Sequence, residues 1–139
     1  MKTLLLTLTF LTLNNSPIFV QEKNTLTINF SGMNSNRGAL FVGLYNNEVD
    51  FLKTHFKGAI IKITNKKATV VFKDLPDGEY SVSAFHDKND NKKMDTNFIG
   101  IPKEPIGISN NAKGFMGPPK YKDAKFIVSQ NTQITIAIE

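Results

Sequence analysis

The amino-acid sequence predicts an all-β protein, two sheets packed face to face around one core. Three observations carry that expectation. From Thr25 onward the apolar residues recur with a period of two, not 3.6. The apolar segments are short and are punctuated by Gly, Pro, Asn and Asp at roughly the 8–12-residue spacing of a β-sandwich. The chain of 139 residues, 40% hydrophobic and 21% charged with no cysteine, is one domain in length and can bury a core without disulfides.

The N-terminus stands apart. Lys2 precedes an apolar run from Leu4 to Leu13, followed by Asn14, Asn15 and Ser16. This is the layout of a signal peptide, read over residues 1–20, and it is shorter than the roughly 20 apolar residues needed to span a bilayer. A buried first strand is the alternative. The export reading leaves residues 21–139 as the domain, periplasmic or extracellular, and not membrane-spanning.

The strands follow in order. In TLTINF, Leu26, Ile28 and Phe30 alternate with Thr25, Thr27 and Asn29, as in a strand with one buried face. A turn at SGMNSNRG leads to ALFVGLY, whose Leu40, Val42 and Leu44 oppose Ala39, Phe41 and Tyr45. Apolar residues on both faces predict a central strand. NNEVDFLKTHFKG reads as the one short helix, capped by Asn47, ended by Gly58, and with Val49, Leu52 and Phe56 on one face. GAIIKIT and ATVVFKD suggest a hairpin around 65–67. In LPDGEY, Pro76 and Gly78 suggest a tight turn with positive φ at the glycine. EYSVSAFH is the next strand, and AKFIVS with TQITIAIE reads as a closing hairpin. About seven strands of this kind predict a single antiparallel sandwich of the immunoglobulin-like class.

The formal charge of +5 comes from 17 Lys+Arg against 12 Asp+Glu, and Arg37 is the only arginine. The lysines are scattered through turns, which reads as a solvated surface and not as a nucleic-acid site, where arginine forks are favoured. No G-x-S-x-G elbow, Walker loop or dinucleotide glycine pattern occurs. His55 and His86 are the only histidines. His86 beside Asp87 reads as a strand-end residue before a metal or general-base pair.

Chemistry is expected in the stretch from Asp87 to Asp123, which shows no convincing strand and is long for a loop. It opens with DKNDNKKMD. Asp87, Asn89, Asn91, the Lys93 carbonyl and Asp95 occupy positions one, three, five, seven and nine of a calcium loop. Lys92 stands where that pattern has glycine, and Phe98 where it has a bidentate glutamate; Glu104 would have to fold back to supply the last carboxylate. A solvated Asn/Asp/Lys turn is the competing reading. The following glycine- and proline-rich run carries Phe98, Ile101, Ile106, Ile108, Phe115 and Met116, tucked over a sheet edge or offered to a partner.

LPDGEYSVSAFHD, the Asp/Asn loop ending at Asp95, GIPKEPIGISNNA and GPPKYKDAKF together resemble the secreted bacterial family catalogued as domain of unknown function 2141. The resemblance covers nearly all of the chain after the signal peptide. The LP-x-G-x-Y turn is also shared with transthyretin-like sandwiches. It implies an exported β-sandwich with no assigned activity, in a pattern that places glycine where this chain has Lys92. The matching positions are Asp87, Asn89, Asn91, Asp95, Gly100, Pro102, Glu104, Ser109, Asn110, Asn111, Pro118 and Pro119.

The functional expectation is a non-enzymatic binding or accessory module of the bacterial envelope that uses residues 87–123 against an unidentified envelope protein or ligand. The contact residues expected are Gly100, Pro102, Ser109, Asn110, Asn111, Phe115, Met116, Pro118 and Pro119. Calcium is the candidate ion, at Asp87, Asn89, Asn91, Lys93, Asp95 and Glu104. A calcium-stabilised structural domain is the alternative; a metal-dependent hydrolase using Asp87, Asp95, Glu104 and His86 is a further one.

Overall fold

A computed structural model describes residues 23–139. The segment read as a signal peptide lies outside the described residues. Eight strands form: β1 (Asn24–Ser31), β2 (Ala39–Tyr45), β3 (Lys57–Lys62), β4 (Ala68–Leu75), β5 (Gly78–Asp87), β6 (Ile106–Ile108), β7 (Phe126–Val128) and β8 (Thr132–Ala137). They make two sheets, β4-β1-β8 and β3-β2-β5-β6, with β7 pairing the start of β5. Among the described residues, no helix is long and apolar enough to cross a membrane.

The period-two pattern does what the sequence leads one to expect. Leu26, Ile28 and Phe30 of β1, Leu40, Val42 and Leu44 of β2, Val70 and Phe72 of β4, Tyr80, Val82 and Ala84 of β5 and Ile136 of β8 all enter one buried core between the sheets. Alternate residues face outward because successive side chains of a strand point to opposite faces. On the outer face of the larger sheet, Phe41 and Phe85 stand opposite each other and stack with centroids 4.9 Å apart. β2 is central, between β3 and β5.

Five expectations need correction. The sandwich is not purely antiparallel, because β8 runs parallel to β1 with Ile28 beside Ile134 and Phe30 beside Ile136. The closing hairpin does not form, since β7 pairs with β5 and β8 with β1, in different sheets. The β3–β4 hairpin is reduced to its turn. Asn65 and Lys66 adopt the paired left-handed conformation of a tight hairpin turn, and Thr64 bridges Lys67. Beyond that bridge the strands part, β3 pairing with β2 and β4 with β1.

No helix forms over residues 47–58. Asn47 Oδ1 accepts the Asp50 N–H at 2.9 Å and opens a series of turns, but Leu52 at φ 59° breaks the helical path. The buried residue is Phe51, packed edge-on against Tyr45 and Tyr121, while Val49 is 75% exposed. Gly58 falls inside β3.

The fifth correction concerns the turn before β5, where Gly78 holds no positive φ; the left-handed residue is Asp74, inside β4 where its register against β1 shifts. Between Leu75 and Gly78 the chain crosses from the smaller sheet to the larger. The Tyr80 hydroxyl donates to the Pro76 carbonyl at 2.7 Å, and the Asn24 amide ties the same crossing to Leu75 O and Asp77 Oδ1. Burial, with Asp77 nearby, raises the Tyr80 phenol above its ordinary pKa, so it stays a donor.

Candidate functional site

The stretch from Asp87 to Asp123 is not one loop. Ile106–Ile108 forms β6, antiparallel to Ser83–Phe85, and Ser109–Asn111 adds a 3₁₀ turn. β6 lies so close to the smaller sheet that a Cβ on Gly107 would stand 2.6 Å from the Ala137 carbonyl oxygen. The result is two separate excursions, residues 88–105 between β5 and β6 and residues 112–120 between the 3₁₀ turn and the Tyr121–Ala124 helical turn.

The first excursion starts where β5 ends. The His86 N–H donates to Pro105 O at 2.9 Å and closes its base. Asp87 is fully buried; its Oδ2 accepts the Lys92 N–H at 2.8 Å. Lys92 takes φ 63°, the left-handed conformation for which the calcium-loop pattern uses glycine. The Asn89 and Asn91 side-chain oxygens accept backbone N–H groups two residues further on, at 3.1 and 3.0 Å. Their amide groups point at Asp95, with contacts of 2.7 Å from Asn89 and 2.9 and 3.0 Å from Asn91.

Glu104 does fold back. Thr96 bridges Pro102, and the Lys103 N–H donates to Asp95 O at 2.8 Å, so residues 95–103 form a small hairpin. That hairpin returns Glu104 to Asp95, whose N–H donates to Glu104 Oε2 at 3.2 Å. At the tip, Asn97 Oδ1 accepts the N–H groups of Ile99 and Ile101, which makes a firm turn although Phe98 is 99% exposed.

Asp87 Oδ1 and Glu104 Oε1 are buried without a partner. The ion pairs found among the described residues, Lys113–Glu139 and Lys125–Glu79, lie elsewhere. Burial of an unpartnered carboxylate oxygen is costly, so these two call for a donor or a cation. No three His, Cys, Asp or Glu side chains among the described residues gather closely enough to hold a metal by themselves. A calcium set differs in kind, since amide and backbone carbonyl oxygens make up much of it.

His86 does not join this group. Its ring is buried, with Nε2 2.7 Å from the Arg37 carbonyl, to which it donates. It serves as a link between β5 and the β1–β2 turn, its Nδ1 is buried without a partner, and no hydrogen bond ties it to the carboxylates that a hydrolase reading would pair with it.

The residues read as one contact surface divide by role. Ser109 is buried; its hydroxyl accepts from Val82 N at 2.9 Å and donates to Ala124 O at 2.6 Å. Asn110, at φ 59°, donates to Asp123 O and Lys125 O, and Asn111 accepts from Ala137 N. This Ser-Asn-Asn run ties β5, the Tyr121–Ala124 helical turn and β8 together. Its signal in sequence is adjacent asparagines able to adopt left-handed φ, a local feature that says nothing of which strands they join. Pro102 and Pro119 are half-buried, whereas Gly100, Pro118, Phe115 and Met116 are exposed. Ile108 joins a small cluster with Tyr45, Phe51, Tyr121 and Ala124.

A family model described as "Uncharacterized protein conserved in bacteria (DUF2141)" matches residues 28–136, which takes in both excursions, half of β1 and all or most of every other strand. No curated protein and no solved structure matches the chain.

Proposed function

We propose that this chain, which belongs to the bacterial family DUF2141, is an exported, non-enzymatic binding module of the cell envelope. Its N-terminal residues 1–20 serve as the signal peptide, and its two sheets are an immunoglobulin-like sandwich of transthyretin-like type. The Tyr80–Pro76 hydrogen bond at the sheet crossing supports that fold identity, being the corner contact of such sandwiches. Its partner is an envelope protein met through the tip of the first excursion.

The observation that carries this reading is the hairpin tip itself. Phe98, Ile99 and Ile101 are 99%, 65% and 54% exposed, yet they sit on backbone fixed by Asn97. A firm turn that presents three large apolar side chains to water gains nothing for folding, and such patches mark contact sites.

The test replaces Phe98, Ile99 and Ile101 together by serine. Retention of envelope proteins from the native bacterium by the immobilised chain is expected to fall about tenfold or more. The melting temperature is expected to stay within about 2 °C, because the lost side chains are already exposed. Equal retention by the variant and the unaltered chain contradicts the proposal.

A further inference from the structure

We propose that the first excursion holds one calcium ion, ligated by Asp87, Asn89, Asn91, the Lys93 carbonyl, Asp95 and Glu104, with Glu104 delivered by the 95–103 hairpin in place of the distal glutamate of a calcium loop. The site is independent of any contact made by the hairpin tip.

Three lines of geometry meet here. First, Asp87 and Glu104 each have one carboxylate oxygen held by a loop N–H, from Lys92 and Asp95, and the other buried and bare. Those two bare oxygens call for a cation, since hydrogen bonding within the loop leaves them unmet. Secondly, the backbone has the bend that ion loops use, with Lys92 left-handed at φ 63° where glycine is usual. Lysine accepts that conformation at a cost of roughly 1–2 kcal/mol. Thirdly, Asp95 accepts from the Asn89 and Asn91 amide groups, which draws the three side chains together. Each asparagine oxygen accepts one backbone N–H and keeps a second lone pair for an ion.

The chemistry selects the ion. All the ligands are oxygens; the three carboxylates do not gather closely enough to hold a metal by themselves, so the Asn89 and Asn91 side chains and the Lys93 carbonyl must complete the set, which suits a hard divalent cation and no soft metal. The loop is open on the Asn89 and Asn91 side, both exposed, and closed on the Asp87 and Glu104 side. An irregular set of this kind accommodates calcium's variable coordination better than the near-ideal octahedron that magnesium demands. Without a bidentate glutamate at the usual position, the expected affinity is that of extracellular modules, Kd of about 10⁻⁴–10⁻³ M.

Titration of the purified protein by calorimetry with CaCl₂, and separately with MgCl₂, tests the site. One calcium per chain is expected, with magnesium binding at least about tenfold more weakly. At 10 mM calcium the melting temperature is expected to rise by about 5 °C over its value in EDTA. Asp95→Asn and Glu104→Gln, each isosteric, are expected to weaken binding about tenfold or more and to remove most of the calcium-dependent rise in melting temperature. Exposed Asn91→Ala serves the same purpose should either carboxylate variant fail to fold. The proposal is overturned if no heat and no thermal shift appear at 10 mM calcium, if magnesium binds as tightly, or if the folded variants bind as well as the parent.

Discussion

Gly38→Ala is expected to destabilise the protein by about 2–5 kcal/mol, close to the limit of what a single domain tolerates. Gly38 sits at φ 69° just before β2, and a Cβ built on it would stand 1.7 Å from the Asp87 carbonyl oxygen. Two costs add. The left-handed conformation penalises any L side chain by roughly 1–2 kcal/mol. The overlap is with backbone, which has no rotamer to relieve it, so β2 and the end of β5 must separate. Ala39 pairs with Asp87 in that register, and the separation would displace the residue whose carboxylate starts the first excursion. Gly117 supplies the control, since a Cβ built there would meet nothing within 4 Å and its φ is not left-handed. Gly117→Ala is expected to change stability by no more than about 0.5 kcal/mol. Urea denaturation of the two variants measures the contrast; similar midpoints would contradict the close approach of Gly38 to Asp87.

Phe30→Ala is expected to cost about 3–5 kcal/mol. Phe30 is 1% exposed on β1, the middle strand of the smaller sheet, with Ala68 opposite it on one side and Ile136 on the other. Loss of the ring removes its burial and leaves a cavity between two strands that are fixed by their own ladders and cannot close over it. Val71, opposite Thr27 in the same sheet, is 46% exposed, so Val71→Ala is expected to cost less than about 1 kcal/mol. Equal melting of the two variants would mean that the face of this sheet carrying Phe30 is not the one that packs on the core.

These contrasts show which part of the fold is legible in sequence. The alternation of Leu26, Ile28 and Phe30 with Thr25, Thr27 and Asn29 is a property of consecutive residues, and it gives the strand and its buried face directly. Strand partners are another matter. The turn at Asn65 and Lys66 is a strong local hairpin signal, yet β3 and β4 belong to different sheets because each finds a longer ladder elsewhere, with β2 and with β1. The parallel β1–β8 pair joins the two ends of the described chain, and no local pattern encodes a pairing of that range. β6 leaves little trace in sequence because it is three residues long with glycine in the middle; its place follows from close approach to β8, which needs Gly107. The segment over residues 47–58 shows the converse error. Asn47 and the acidic residues after it supply a helix start, but Phe51 packs between Tyr45 and Tyr121, and that contact overrides a helical face built from Val49, Leu52 and Phe56.

The candidate site is legible to a similar depth. The Asp/Asn spacing from Asp87 to Asp95 is local and shows in sequence. The glutamate that completes it comes back through a hairpin whose turn is set by Asn97, and sequence alone offers Glu104 only as one acidic residue within reach. Ser109, Asn110 and Asn111 look like a polar surface until their partners on β5, β8 and the Tyr121–Ala124 turn are known.

Whether the excursion from Asp87 to Glu104 is an ion loop closed by its own hairpin is tested most directly by following backbone amide resonances during a calcium titration. The Lys92 and Asp95 amides, which donate to Asp87 and Glu104, are expected to shift most, with smaller changes across residues 88–104 and little at β1 and β4. Amides of this loop that stay fixed at millimolar calcium, or shifts centred anywhere else in the molecule, would contradict it.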